Sequence, residues 1–381
     1  RFYPAGNGYL NSRKGVTMPH LFRLAILAMV LILVFRSATC AVPLNWVGGG
    51  GTNFWGNNSN WDPAFEPDSD DDLTIAGVIQ GAGPHTVLDA DFVISSLVIS
   101  NSSEVDTNNF LLAVEGHTSI LGTDTRLQLF ERTSAGDEDS LDTDTLTVGG
   151  GSIVEMYENS VLEVDDGLFD LGGTLIGNGT IQLNDNPATP TTLLDINTFL
   201  SAGHAGTIAG APPPRTLSIT ATDSDARIDA GGFSTIEVQE NATLDIELPF
   251  TSGTFFGNLQ LWPNSTFRMQ DTWTLGDSLE VISDAFSGNE PATIARGQAD
   301  TQLTLGSGST VTVDADESLR FATRLLGSNG STVSNSGTLI FDESTQFLAM
   351  ADLRMLGSNA SLVVNDSVVI SQDTFNMDGD G

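Results

Sequence analysis

Positive charge is scarce in this chain. Against 49 Asp and Glu there are 14 Lys and Arg, a net charge of −35 at neutral pH, and Lys14 is the single lysine. No lysine remains downstream for a Schiff base or an activated amine. So acidic a surface repels duplex nucleic acid and anionic membranes, which excludes both as partners, and suits divalent cations and basic partners. Cysteine is equally scarce, with Cys40 alone, so no disulfide forms within the chain and stability must come from burial, backbone pairing and metal. Histidine is rare too: His85, His117 and His204 are the three beyond residue 41, none beside a second catalytic partner in sequence.

Long apolar runs are nearly absent as well. The one exception is the twelve-residue stretch Leu24 to Phe35, preceded by Arg23 and followed by small residues from Ser37 to Ala41. That length suits the h-region of a secretory signal better than a bilayer span, so residues 18–41 read as a signal peptide and the protein as exported to the cell surface or the medium. Residues 1–17 then read as sequence upstream of the true start at Met18. Cleavage near Cys40 or Ala41 removes five positive charges and takes the net charge from −35 to −40. Acylation of Cys40 is an alternative, although Ser37-Ala38-Thr39 departs from the usual Leu-Ala-Gly lead-in.

No segment beyond the signal shows a helical period. What is present instead is a series of apolar-x-apolar triplets, among them Leu97-Val98-Ile99, Leu127-Gln128-Leu129, Leu162-Glu163-Val164, Ile236-Glu237-Val238, Leu303-Thr304-Leu305 and Val311-Thr312-Val313. Alternation of this kind turns one side of a short strand inward and the other outward. The triplets recur every six to nine residues, with Gly, Asn, Asp, Ser and Thr between them. A longer echo overlays this rhythm: Leu305-Gly306-Ser307-Gly308-Ser309-Thr310-Val311 returns from Leu326 and again from Leu356, offsets of 21 and 30 residues.

Three short strands in a repeat of this length are the mark of a solenoid, specifically a parallel β-helix. One rung cannot bury its own Leu, Val and Ile, but stacking rungs about 4.8 Å apart closes an apolar column. At about 22 residues per rung, twelve to fourteen rungs and a rod about 60 Å long are expected. Two stretches break the rhythm, residues 184–216 with five prolines and residues 283–301, and both read as loops thrown out from the rod, with Leu193–Leu200 open to a helical turn or a strand. The β-helix repeats themselves are expected over 86–372.

Residues 42–85 concentrate Trp46, Trp55 and Trp61 among Gly and Asn. Two readings stand: a cap that plugs the end of the solenoid, or exposed rings, Trp55 and Trp61 foremost, that stack on sugars. The order Trp46-Val47-Gly48-Gly49, then Asn53-Phe54-Trp55 and Ser59-Asn60-Trp61-Asp62-Pro63, then Asp68-Ser69-Asp70-Asp71-Asp72-Leu73-Thr74-Ile75, resembles the opening of secreted bacterial proteins built from autotransporter-associated or haemagglutinin-like β-strand repeats. Gly172-Gly173-Thr174-Leu175-Ile176-Gly177-Asn178-Gly179-Thr180-Ile181 is similar to that family's repeat. The resemblance implies an all-β, right-handed parallel β-helix at or beyond the cell surface. No C-terminal membrane barrel accompanies it in this sequence.

Polysaccharide lyases and hydrolases share such an architecture, and distant residues can meet on stacked rungs. Yet the spaced Asn-Thr-Asp, Asp-Asp, Gly-His-Gly and Arg-Ile-Lys blocks of the polygalacturonase-like hydrolases are absent as a set, so an enzyme is kept as the alternative. Hard oxygen donors for calcium occur at Asp68–Asp72 and Asp137–Asp139, although runs like these also serve as solvated faces. Within 373–381, Asn376, Asp378 and Asp380 precede Gly381 in the order N-x-D-x-D-G, which matches ligand positions 1, 3 and 5 and the turn glycine of an EF-type loop. The phrase resembles the opening of a dockerin repeat, which would bring Ca²⁺ and a cohesin-like partner. One more solenoid corner is the competing reading. The function expected is that of a secreted structural or adhesive rod binding a polysaccharide or cell surface without turnover.

Overall fold

In a computed structural model of the chain, the residues described are 42–77, 85–131, 140–165, 168–183, 193–196, 199–202, 215–221, 227–230, 235–247, 253–255, 257–270, 272–282, 290–298, 301–343, 345–347, 351–356, 358–370 and 375–378. The signal-like segment, Asp137–Asp139, His204 and Asp380 fall outside them. From Val42 onward the chain forms one unit. It is a β-solenoid whose strands pair in parallel with the strand of the next rung, on three faces.

The first face starts with Pro43–Trp46, Asp72–Ala76 and Ser96–Ser100, and reaches Val368–Ile370. The second runs from Phe92–Ile94 to Ser361–Val364. Leu112–Leu121 and Leu141–Val148 are long enough to turn the corner between these two faces, which joins them into a single 25-stranded sheet. The third face is a separate sheet of 13 strands, from His85–Val87 to Phe375–Asp378. Among the described residues this face has 13 strands.

The triplets explain this stacking. On the third face Val105, Leu127, Val154, Leu175, Leu200 and Ile236 occupy one inward register position on successive strands, each at most 1% exposed. Burying each such side chain contributes about 1.5–3 kcal/mol. No single rung could retain that contribution, because each rung's apolar side is covered by its neighbours.

The corners follow the composition. Gly308 and Gly330 turn with φ of 83° and 77°, so the repeated Leu-Gly-Ser phrase places a glycine where a left-handed backbone is required, immediately before Thr310 and Thr332 pair on the third face. Within the 184–216 stretch, of the two readings left open for Leu193–Leu200 the structure shows the strand rather than the helical turn. Leu193–Ile196 and Phe199–Ala202 are strands of the first and third faces, with Leu194, Ile196 and Leu200 buried in the core. Likewise Ala292–Arg296, inside 283–301, is a strand of the second face.

The tryptophan-rich segment closes the N-terminal end. Trp61–Asp62 pairs antiparallel with Pro43–Trp46, whose other side joins the parallel ladder through Asp72–Ala76. Trp46 and Trp55 both meet Trp61 edge-on, at centroid distances of 5.0 and 5.5 Å, and Trp55 also contacts Phe92. Asn60, fully buried, donates from its amide to the carbonyls of Thr52 and Phe54 and accepts from the Gly50 N–H, which holds the glycine-rich loop over the cap.

Candidate functional site

The residues singled out by sequence are best placed first. Trp55 and Trp61 are 0% and 1% exposed, so neither ring has a face for a sugar, and the stacking role expected of them is corrected in favour of the cap. The indole N–H of Trp61 donates to the Trp55 carbonyl and that of Trp55 to Thr86 Oγ1, so the pair supports itself rather than a ligand. Asn376 and Asp378 lie on Phe375–Asp378, the last strand of the third face, opposite Arg354 and Leu356. The backbone there is extended and paired as a rung.

The acidic run at 68–72 folds into a local turn. The Asp71 carboxylate accepts from the Asp68 N–H, the Asp68 carboxylate accepts from the Asp70 N–H, and Asp72 accepts from the Ser96 hydroxyl. Burial pushes the Asp71 carboxyl above its ordinary range and outweighs the backbone N–H groups of Asp68 and Val42. His117 faces Thr145, with 2.6 Å between Nδ1 and Oγ1.

What sequence reasoning missed are side chains that become neighbours only across rungs. Asp142 and Glu163 share one register position on consecutive second-face strands, and with Asp165 they bring carboxylate oxygens within 4.8 Å of one another. That geometry could hold a cation, as could many exposed acidic groups. On the third face Glu155 accepts from Arg126 and Gln128, both at 2.8 Å, beside Tyr157, whose ring stacks on Phe130 at 4.1 Å. Burial and the Glu155 charge raise the Tyr157 hydroxyl's pKa. Farther along, Glu237 accepts from the indole N–H of Trp262 at 2.6 Å and from Ser201.

A second group lies along the second face, where three of the nine arginines beyond residue 41 gather, Arg268 and Arg320 at outward positions and Arg296 at a strand end. Arg268 reaches Asp245 at 2.7 Å, Arg296 reaches Glu343 at 2.7 Å, and Arg320 reaches Asp342 at 2.5 Å. Asn365 donates to the other Asp342 oxygen at 2.7 Å. Burial alone would lift the Asp342 carboxyl, but Asn365 and Arg320 together hold it below the ordinary value. Asp245 shows the opposite balance: burial raises it more than Arg268 lowers it, and its Oδ1 is buried with no hydrogen-bond partner.

Inside the rod, a small cavity among Ile236, Leu259, Phe267, Trp273 and Leu303 is lined by apolar atoms, with no polar group to orient a ligand. No helix of the described residues is long and apolar enough to cross a membrane. In comparisons with protein-family models, curated proteins and solved structures, nothing matches this chain.

Proposed function

We propose that the protein is an exported structural or adhesive rod that binds a glycan or a cell surface through its outward faces, without chemical turnover. One observation carries this reading: outward side chains bond to one another across rungs, in register at Asp245–Arg268 and diagonally at Arg320–Asp342–Asn365, so that fixed polar surfaces run along the axis. A flat, repetitive polar surface suits a repetitive polymer, and hydrogen bonds between rungs fix its geometry before any ligand arrives. The test is a glycan panel incubated with the whole chain. Retention on a glycan with no new reducing ends or unsaturated products is expected, and release of such products replaces this reading with that of a polysaccharide lyase or hydrolase.

Calcium-dependent assembly is the second reading, carried by the N-x-D-x-D-G phrase with Asn376, Asp378 and Asp380 as ligands to a cation that would dock a cohesin-like partner. Calcium would have to draw these residues away from their pairing with Asp352–Leu356. A calcium titration followed by melting temperature tests it, and an unchanged midpoint overturns it.

A further inference from the structure

We propose that the second face, between Asp245 and Asp342, takes a carboxylate-bearing polysaccharide lying along the rod axis, with Arg268, Arg296 and Arg320 as its contacts. This rests on the glycan-binding reading above and names the chemical class and the place.

Arginine is rare in this chain and these three come from successive second-face strands, Thr266–Met269, Ala292–Arg296 and Ser318–Ala322. Each guanidinium is held by a carboxylate while its side chain stays 45%, 34% and 45% exposed in turn. A guanidinium carries five N–H donors in a planar fork. Arg268 meets its carboxylate through Nη1 and Arg320 through Nε, so the rest of each fork can meet a second carboxylate without rearranging. The carboxylates act as clamps that lower the ordering cost of binding.

The outward positions between Arg268 and Arg320 carry no charge. Arg268 is followed in its row by Ala295 and Ala322, and Arg320 is preceded by Thr293 and Thr266. Arg268 and Arg320 lie two rungs apart, about 10 Å at the ordinary strand spacing, a stretch that an extended sugar polymer covers in about two units. On the third face Glu237 and Glu280 stand in one row with Gln260 between them. A carboxylated polymer is repelled there and meets paired charge with spare donors on the second face.

The experiment is affinity electrophoresis of the full chain through gels holding polygalacturonate or uncharged dextran. The variant R268K/R320Q keeps an ion pair for the buried Asp245 while removing both forks, and R324Q removes an exposed arginine from the first face as a control. Retardation by polygalacturonate, weakened at least tenfold in R268K/R320Q and unchanged in R324Q, is expected. Equal retardation of the native protein and R268K/R320Q overturns the site. Retardation by dextran alone overturns the carboxylate preference and leaves glycan binding standing, whereas retardation by neither polymer nor any member of the wider panel overturns both. Unsaturated products, with the same tenfold loss in R268K/R320Q, support the site and replace the non-catalytic reading. Melting temperatures of both variants near the native value establish that the losses are not unfolding.

Discussion

Ser103, Thr125, Ser152, Ser309 and Ser331 each stand just before a third-face strand, and each is at most 1% exposed. Their hydroxyls donate to corner carbonyls: Ser103 to Ser100, Thr125 to Leu121, Ser152 to Gly122, Ser309 to Gly306 and Ser331 to Ser328. The Gly306 and Ser328 carbonyls also accept the Ser309 and Ser331 N–H groups, so losing a hydroxyl removes one of two bonds, worth about 0.5–1.5 kcal/mol. Ser309→Ala and Ser331→Ala are each expected to lower stability by about that amount, seen as an earlier urea midpoint with an unchanged slope. Asp342 makes a pH-dependent contribution. Its folded pKa lies below the ordinary 3.8, so the stability it supplies is present above that value and is lost as pH falls through the folded pKa. Asp342→Asn is therefore expected to unfold earlier than the native chain at pH 7, and the gap should close as pH falls below 3.8 and through the folded pKa when denaturation midpoints are compared. Asp245 has the other sign: its charged form costs stability above its raised pKa, and acidification toward 3.8 relieves that cost.

At the scale of elements, each rung depends on its neighbours, and the cap is where that dependence ends. Pro43–Trp46 would be a bare edge strand if Trp61–Asp62 did not pair with it and the indole of Trp61 did not pack across Trp46 and Trp55. Trp55→Ala is expected to cost about 3–5 kcal/mol. Hydrogen exchange should locate the loss, with amides of Asp72–Ala76 and Phe92–Ile94 exposed well before those of Thr310–Val313. Uniform loss along the rod would show instead that the solenoid unfolds as one cooperative block. The cap was legible in the sequence as a cluster of tryptophans at one end of a repeat. The burial of Trp55 and Trp61 was not, because a tryptophan among Asn and Gly looks the same whether it plugs a core or meets a sugar.

For the molecule as a whole, charge opposes the fold. Residues 42–381 carry a net −40, five positive charges fewer than the whole chain's balance of −35, and their strands lie about 5 Å apart, well inside the screening length of about 8 Å at physiological ionic strength. Like charges opposite one another on paired strands destabilise, and Asp142 and Glu163 occupy such positions. The melting temperature is therefore expected to rise between 10 mM and 500 mM sodium chloride when followed by calorimetry. A fall with salt would mean that ion pairs such as Arg126–Glu155 and Arg320–Asp342 outweigh the repulsion.

The sequence by itself determined that strands are short, which side chains turn inward, where glycine and serine make corners, and that successive rungs must stack. These follow from a two-residue period and local turn chemistry, which act over a few residues. Only the tertiary structure decided which outward side chains meet. Arg320 meets Asp342 22 residues on and Arg268 meets Asp245 23 residues back, whereas Arg296 reaches across two rungs to Glu343. Corner and loop lengths differ from rung to rung, and each added residue shifts which side chains align on the next strand. The inward pattern survives such shifts because Leu, Val and Ile substitute for one another in an apolar column. The outward pairs do not, since an arginine and a carboxylate bond only where the corners bring the two side chains within reach.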